Sequence, residues 1–309
     1  MTPRLLLLPL IAVSLLAQDP PPAADTGDLF TLGQALFDAY APPEIKKDFA
    51  FPTRRQWDEF AARLEKTRQT GSLAELAAYE TEARAALLAL RALPEYADYA
   101  DWLEERIDEI VVAKEASKPA PPPPAPGVTP PKSAQAGIPL YDLWVNRVRE
   151  HPRPGRADEF LPRLKKVFSA EGLPGEFAWI AETESMFNPQ ARSPAGARGL
   201  YQLMPITAKA QGLSLFPFDE RTHPEKSARA AATLLRRLHG LFDSWPLALA
   251  AYNAGEGRVR RTLKEKNATT FAEIADSLPS ETRLYVPKVL ATLAVREGTD
   301  PATLSAPAK

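Results

Sequence analysis

The sequence predicts a mainly α-helical protein in which a proline-rich linker separates two helical regions. Apolar residues recur at spacings of three and four through most of residues 25–114 and again from Tyr141 onward, which is the period of amphipathic helices. Strand signals are nearly absent, and only Arg198–Leu203, close to glycines, suits a short β-ribbon. The chain has 309 residues, with 32 prolines against 15 glycines, so we expect about two domains with the excess proline between them.

The composition excludes several kinds of site. Thirty-eight basic and 39 acidic side chains give a net charge of −1, which argues against nucleic-acid binding. Because the chain has no cysteine, it has no thiol nucleophile, disulfide, cysteine zinc site or cysteine-linked lipid anchor. Three histidines without a paired spacing offer little for a metal site, and we expect neither a metal nor another cofactor. Any catalysis must therefore use carboxylates, hydroxyls, amides or lysines.

The first 17 residues have the layout of a secretory signal. Arg4 precedes an apolar run from Leu5 to Leu16, which Pro9 interrupts, and a polar stretch follows Ala17. The run is well short of the ~20 residues that span a bilayer. We expect cleavage near Ala17 and a location in the periplasm or cell envelope, with an uncleaved anchor as the alternative.

Residues 18–115 are predicted to form a small helical bundle. Thr53 with Gln56, and Ser72 with Glu75, have the spacing of capping boxes at two helix starts. Pro94 suits the first turn of a third helix. Apolar residues follow each start at one-face spacing, but they form no recognisable chemical constellation.

A linker and a tail flank the second helical region. Residues 116–138 are rich in proline and poor in large apolar side chains, which is typical of a polyproline-type spacer. Residues 298–309 are small, polar and proline-containing, so we expect a disordered tail. The regions 18–115 and 139–297 are therefore expected to be separate domains.

Within residues 139–297, helical periodicity predicts five segments. Their periodic apolar residues lie within Tyr141–Val148, Phe160–Phe168, Ala228–Phe242, Leu247–Tyr252 and Val286–Leu293.

One carboxylate falls on an apolar helix face. The segment from Pro174 to Phe187 is predicted to be one helix, on which Glu184 shares the apolar face and Glu182 faces solvent. Burial among apolar groups disfavours a charged carboxylate and raises its pKa, so Glu184 would suit the protonation of a glycosidic oxygen. The alternative is that Glu184 reaches the domain edge or pairs with an arginine such as Arg198.

Polar groups in turns follow this helix. Ser193 begins a turn before the ribbon, and Gln202 carries an amide that both donates and accepts, as sugar hydroxyls require. Gly255 is suited to end another helix, with Tyr252 and Asn253 close to that end.

Four segments, from Glu184-Ser185 to Glu281–Pro287 along the chain, resemble the four ordered motifs of the lytic murein transglycosylases of the soluble-transglycosylase (SLT) domain type. This is a goose-lysozyme-like group of glycoside hydrolase family 23. Tyr201 stands where tryptophan or methionine is often found, a variant closest to the membrane-bound D-type branch. The resemblance covers about residues 141–295 and implies a lysozyme-like catalytic domain. The four segments are Glu184-Ser185, Gly196–Pro205, Ala250–Gly255 and Glu281–Pro287.

The resemblance also implies roles for matched residues. Glu184 would be the sole catalytic acid and base. Ser193 would orient the substrate N-acetyl group or a water near it, and Gln202 and Met204 would line the sugar cleft. Ser185 matches the motif, although its hydroxyl also suits a bond within the helix.

The third and fourth segments supply the remaining expected roles. Tyr252 and Asn253 would contact the sugar at the cleavage site, and Glu281 would support the site. Met204 and Tyr201 suit core positions equally well. Glu281 also suits the first turn of a helix, where the helix dipole favours an acidic side chain.

By resemblance, the reaction would cleave the β-1,4 bond between N-acetylmuramic acid and N-acetylglucosamine in peptidoglycan and leave 1,6-anhydro ends. The alternatives are hydrolysis by the same acid, as in goose lysozyme, and a non-catalytic peptidoglycan-binding module. A Ser-His-Asp hydrolase is a distant option because no GxSxG segment is present. Residues 18–115 could bind an envelope protein, which we state as a hypothesis.

Overall fold

The computed structural model describes residues 66–68, 72–81, 83–84, 87, 97–118, 137–193 and 196–308. The predicted signal, the helix start at Thr53 and most of the linker lie outside these residues.

Two helices with defined bounds precede the linker in the described residues, and further helical residues lie at 66–68, 80, 81, 83, 84 and 87. Helix α1 spans Leu73–Ala77, and α2 spans Ala97–Ala116. Ser72 is the N-cap of α1, with its hydroxyl accepting from the Glu75 N–H at 3.2 Å, as predicted.

The helices after the linker include the five predicted segments and several shorter ones. They are α3 (Tyr141–Glu150), α4 (Ala157–Ala170), α5 (Ile180–Ser185), α6 (Pro205–Ala210), α7 (Pro224–Phe242), α8 (Trp245–Ala254), α9 (Glu256–Lys266), α10 (Phe271–Ile274) and α11 (Ser280–Glu297). Short 3₁₀ helices span Gly175–Trp179, Glu220–Thr222, Ala275–Ser277 and Pro301–Thr303.

The helix ends follow local sequence chemistry. Proline occupies the first turn of α6 and α7, where its missing N–H costs no hydrogen bond. Thr270 and Glu273 form a reciprocal capping box at the start of α10. Gly255, in the left-handed region with φ 85°, ends α8 as predicted.

Helix α11 lies in the middle of the fold. Nearly every side chain from Ser280 to Leu293 is buried, and α11 packs against α2, α3, α5, α8 and the 3₁₀ helix Gly175–Trp179. Full burial of a large aliphatic side chain contributes about 1.5–3 kcal/mol, so a helix buried on all sides is held firmly. It provides a rigid support for the side chains at its start.

The predicted ribbon is present as two antiparallel β-bridges. Arg198 pairs with Arg192 and with Leu203. Together with the helices, these bridges confirm the predicted mainly α fold with a short ribbon.

The prediction of one continuous helix from Pro174 to Phe187 was wrong. The 3₁₀ helix Gly175–Trp179 leads into α5, which ends at Ser185. A 3₁₀ turn advances about 120° per residue rather than 100°, so the helical-wheel positions of the segment do not hold.

The prediction that Glu182 faces solvent was also wrong. Its side chain is buried and accepts three hydrogen bonds from the Arg296 guanidinium, at 2.7, 3.0 and 3.2 Å. Helix α5 packs against α11, which carries Arg296, so the face opposite the apolar stripe is covered as well.

The prediction of a disordered tail was wrong for residues 298–308. Pro301 is buried, the Trp245 indole N–H donates to the Ser305 carbonyl at 3.2 Å, and the Ala308 N–H donates to the Gly172 carbonyl at 2.8 Å. Backbone hydrogen bonds and one buried proline hold a segment whose composition alone predicts no packing.

The helices before the linker contact those after it. Helix α2 packs against α1, α3 and α11. The Asp108 carboxylate of α2 bonds to the Arg147 guanidinium and lies 3.2 Å from His151 Nε2. The two predicted regions are thus in contact, while their folding as separate domains stays a prediction. No helix among the described residues is long and apolar enough to cross a membrane.

Candidate functional site

Glu184 lies near the end of α5, followed at once by an unusual turn. Met186 and Phe187 both have left-handed backbone, with φ 49° and 57°, which is costly for residues with a side chain. Phe187 is fully buried and its N–H donates to the Ala181 carbonyl, so packing and a capping bond hold the turn. The turn ends α5 one residue after the half-buried Glu184.

The structure places the Tyr285 side chain in hydrogen-bonding contact with Glu184. Its hydroxyl donates to Glu184 Oε1 at 2.6 Å, across 101 residues of sequence. Tyr285 projects from α11 and is 7% exposed. Sequence reasoning missed this residue, although it lies within the fourth motif, because its contact with Glu184 depends on how α11 crosses α5.

The four sequence motifs are joined by hydrogen bonds into a closed ring. We call these four bonds the motif circuit. They are Ser185 Oγ to the Leu200 carbonyl at 3.0 Å, Tyr252 hydroxyl to the Tyr201 carbonyl at 2.8 Å, Thr282 Oγ1 to Asn253 Oδ1 at 2.7 Å, and Tyr285 hydroxyl to Glu184 Oε1. Each bond joins one motif to the next, so the circuit fixes all four around Glu184. The predicted bond of Ser185 within its helix, to Ala181, is also present.

Two tyrosines create the electrostatic environment of the carboxyl group. Burial raises the pKa of Tyr285 and of Tyr252 well above the usual range, and the nearby Glu184 charge raises both further. Both hydroxyls therefore remain protonated and serve as hydrogen-bond donors at neutral pH.

The ribbon presents Gln202 in a constrained conformation. Gln202 has φ 43°, and its amide nitrogen donates to the carbonyls of Gly199 at 2.9 Å and Ala191 at 3.3 Å. These bonds fix the direction of the amide, so its oxygen is the end suited to accept from a ligand hydroxyl. Ser193 lies in the preceding turn, where its hydroxyl accepts from the Ala197 N–H at 3.0 Å.

A largely buried ionic cluster of Arg198, Asp219 and Arg221 packs against the ribbon. The Arg221 guanidinium donates to the carbonyls of Gly196 and Leu203 and to both oxygens of Asp219. Asp219 also accepts from Arg198 at 3.0 Å. The hydrogen bonds from Arg221, followed by the Arg198 interaction, lower the pKa of Asp219 to about 2. Arg198, the predicted alternative partner of Glu184, thus binds Asp219.

Gly199 is required where the ribbon crosses this cluster. Its φ is +80°, and a Cβ atom built there would lie 1.8 Å from the Arg221 carbonyl oxygen. No side chain fits, so glycine allows the ribbon to approach the Arg221 backbone.

The remaining predicted residues lie around this core of the site. Met204 is 39% exposed at the start of α6, so the interpretation of Met204 as a core residue was wrong. Tyr201 is fully buried against Phe168, which confirms its interpretation as a core residue. Glu281 lies in the first turn of α11, as the helix-dipole interpretation expects, and pairs with Arg68 at 2.9 Å.

No cluster of three or more potential metal ligands from histidine, aspartate or glutamate occurs among the described residues. The candidate site is built from one carboxyl group, two tyrosine hydroxyls and side-chain amides.

Comparison with known proteins identifies part of the chain. Residues 169–275 match the family model described as the Transglycosylase SLT domain. The chain is 37% identical over 142 residues to the membrane-bound lytic murein transglycosylase D of Escherichia coli, and the alignment covers 44% of this chain and 31% of that protein. It is 36% identical over 141 residues to the soluble lytic murein transglycosylase of E. coli, and this alignment covers 41% of this chain and 21% of that protein.

A crystal structure of the 70 kDa soluble lytic transglycosylase from E. coli aligns with 76% of this chain and 36% of that chain, at 25% identity and a TM-score of 0.42. The chain spans less than a third of the length of either curated relative. The family match includes Glu184, the ribbon and Tyr252, whereas Glu281 and Tyr285 follow it. Residues 169–275 of this chain therefore form a transglycosylase SLT domain.

Proposed function

We propose that the protein is a lytic murein transglycosylase. It cleaves the β-1,4 bond between N-acetylmuramic acid and N-acetylglucosamine in peptidoglycan and forms 1,6-anhydro-muramic acid ends. The observation that carries the proposal is the motif circuit, in which four separate segments converge on one carboxyl group. A domain that only bound glycan would not require a proton donor at this position.

Glu184 acts first as the acid. Its carboxyl group gives a proton to the glycosidic oxygen, because the sugar alkoxide is a poor leaving group until it is protonated. The acetamido oxygen of the muramic acid attacks the anomeric carbon as that bond breaks, and this substrate group replaces the second carboxylate of most glycosidases.

Glu184 then acts as the base. Its carboxylate takes the proton of the sugar 6-hydroxyl, and the 6-oxygen displaces the acetamido oxygen from the anomeric carbon. The ring closes to the 1,6-anhydro product, no water is consumed, and Glu184 regains its proton. The Tyr285 hydroxyl orients the carboxyl group through both steps.

Other residues bind the sugars in this proposal. Gln202 accepts from a sugar hydroxyl through its amide oxygen, and Ser193 donates its hydroxyl hydrogen to the N-acetyl group. Met204 offers an exposed apolar surface to a sugar face. Tyr252 and Asn253 contact the sugar at the cleavage site, and Glu281 supports it from α11.

Product analysis tests the proposal and separates it from hydrolysis. Residues 18–309 are incubated with purified peptidoglycan sacculi, and the soluble products are analysed by mass spectrometry. Anhydro-muramic ends support transglycosylation, reducing muramic ends indicate a goose-lysozyme-like muramidase, and the absence of soluble products contradicts both enzyme functions.

The substitution Glu184→Gln tests the role of the acid in the same assay. Glutamine keeps the volume but has no carboxyl proton to give, so we expect the rate to fall by at least ~10². Glu176→Gln, on the neighbouring 3₁₀ helix, is the matched control and keeps the wild-type rate. Normal turnover by Glu184→Gln would contradict the proposed mechanism.

We further propose that the protein acts in the periplasm or cell envelope, where peptidoglycan is available. Residues 18–115 would bind an envelope protein there. Fractionation of producing cells tests the location: recovery in the envelope fractions supports the proposal, whereas a cytosolic protein that keeps residues 1–17 contradicts it.

A further inference from the structure

The start of α11 is bonded to a segment more than 200 residues earlier. The Ser280 hydroxyl donates to the Thr67 carbonyl at 2.9 Å, and this bond is buried. One residue further on, Arg68 Nη2 lies 2.9 Å from Glu281 Oε1. Pro279, at the N-cap, gives α11 no side-chain capping bond. Contacts from residues 66–68 therefore hold a helix start that lacks a cap of its own.

Arg68 connects this helix start to α2. Its side chain is 11% exposed, and its Nε lies 3.5 Å from the buried Glu109 of α2. Arg68 therefore bridges two carboxylates, one from α2 and one from α11. The side chain of Glu109 is 11% exposed and also pairs with Arg106, whereas that of Glu281 is 36% exposed. Loss of Arg68 therefore acts mainly on the position of Glu281.

The first two turns of α11 carry two bonds of the motif circuit. Thr282 binds Asn253, and Tyr285, one turn after Glu281, binds Glu184. Residues four apart on a helix share a face, and the Glu281 charge contributes to the raised pKa of Tyr285, after burial and other charges. A shift at Glu281 is therefore transmitted to Tyr285 over a single helical turn.

We propose that Arg68 is a positioning residue for the reaction. By fixing Glu281, it holds the first turn of α11, and thereby the position of Tyr285 one turn later, where Tyr285 orients the Glu184 carboxyl group. The segment that precedes the linker thus completes a site whose acid lies in the SLT domain. The inference rests on the proposed function, since it concerns the geometry of the same acid.

Arg106 provides a matched control. It also pairs with Glu109, at 3.6 Å, and its side chain is similarly buried, at 17% exposed against 11% for Arg68. Arg68 pairs with Glu281 as well as with Glu109. Arg68→Ala and Arg106→Ala each remove one positive charge beside Glu109, and Arg68→Ala in addition removes the pair with Glu281.

The experiment measures kcat and KM of the full chain on a soluble glycan strand, together with the melting temperature of each variant. We expect Arg68→Ala to lower kcat about 10-fold with KM changed less than 2-fold, since the acid is misoriented while the sugar contacts remain. Arg106→Ala should keep kcat within 2-fold. Arg68→Lys, which keeps the charge and the fold, should recover part of the lost kcat.

A double-mutant cycle with Glu281→Gln adds a readout that a structural role would not change. If Arg68 acts through Glu281, the double variant has the same kcat as the less active of the two single variants. Independent, multiplying effects would overturn the proposal. Equal losses of kcat in Arg68→Ala and Arg106→Ala, or losses that only follow the melting temperature, would overturn it too. If Arg68→Ala fails to fold, Arg68→Lys and the Glu281→Gln cycle with it decide the question.

Failure of the inference is distinct from failure of the proposed function. A wild-type chain that releases anhydro products while Arg68→Ala keeps full kcat contradicts only the role of Arg68. A wild-type chain that releases no anhydro products contradicts the proposed function itself.

Discussion

At the residue scale, the site depends on a few side chains in costly or buried positions. The buried Tyr285 donates its hydroxyl hydrogen to Glu184. The backbone is left-handed at Met186, Phe187 and Gln202. Backbone of this kind persists only where surrounding packing holds it, and it concentrates at functional sites. Met186, Phe187 and Tyr285 adjoin Glu184, the carboxyl group to which we assign the chemistry, and Gln202 lies on the ribbon that the motif circuit joins to it.

The hydrogen bond from Tyr285 can be tested alone. Tyr285→Phe keeps the ring and removes only the hydroxyl, so Glu184 loses its orienting donor. A hydrogen bond to a charged group is worth about 1.5–3 kcal/mol, and we expect kcat to fall roughly 10- to 100-fold. Tyr141→Phe, in α3, is the control, and a kcat equally reduced in both variants would contradict the role of Tyr285.

Gly199 and Gly196 form a matched pair for stability. Gly199→Ala places a Cβ atom 1.8 Å from the Arg221 carbonyl oxygen, whereas Gly196, with φ +89°, has nothing within 4 Å. We expect Gly196→Ala to cost about 1 kcal/mol of unfolding free energy from backbone strain, and Gly199→Ala at least ~3 kcal/mol because the ribbon must move. Urea denaturation measures both, and equal losses would contradict the close approach.

At the scale of elements, the sequence predicted the long helices better than the short ones. The apolar periodicity of α3, α4 and α7 extends over several turns, and the structure buries the predicted faces. Between Pro174 and Phe187 the chain changes from 3₁₀ to α geometry, and periodicity cannot reveal where one turn type replaces the other. Glu182 was misplaced for a different reason, because α11 covers the face of α5 that the local pattern predicts to be exposed.

The Glu182–Arg296 pair joins α5 to α11 and should be costly to break. Arg296→Ala leaves a buried carboxylate without a partner, and we expect a loss of about 3–5 kcal/mol in unfolding free energy at pH 7. Burial already raises the pKa of Glu182, so the loss should shrink as the pH falls and the carboxyl group takes up a proton. Denaturation at pH 7 and pH 5 checks this, and an unchanged loss would contradict it.

The cluster under the ribbon should make stability depend on acidic pH. The folded-state pKa of Asp219 is about 2, below the usual 3.8, so its contribution is fully present above about pH 4 and is lost as the pH falls toward 2. Thermal unfolding from pH 5 to pH 2 should show this loss. Asp219→Asn should be less stable at pH 5 and show a smaller decline, and equal declines would assign the acid sensitivity to other groups.

At the scale of the whole molecule, charged contacts join the helices before the linker to those after it. Asp108 of α2 binds Arg147 of α3 and His151, and Arg68 binds Glu281 of α11. Buried ion pairs need accurate geometry to repay the cost of removing both charges from water. The relative position of α2 and α11 is therefore well specified.

The contact of α2 with α3 should weaken as the pH rises. The hydrogen bond to Asp108 raises the pKa of His151, so this stabilisation is fully present below the unfolded value near 6.5 and is lost as the pH rises through the folded value. Amide exchange in residues 97–116, corrected for intrinsic rates, should accelerate from pH 6 to pH 8.5, with residues 224–242 as the control. This acceleration of amide exchange should be absent in His151→Gln, and its persistence in that variant would exclude His151 as the cause.

The sequence by itself determined the helical class, the main helix faces, the order of the four motifs and Glu184 as the candidate acid. These features are local, because apolar spacing, caps and motif residues act within one or two turns. Only the tertiary structure decided that Tyr285 binds Glu184, that Arg296 buries Glu182, that Arg68 reaches Glu281 and that residues 298–308 pack. Each of these depends on how distant segments cross, and crossing geometry arises from side-chain packing over the whole core, which no local pattern encodes.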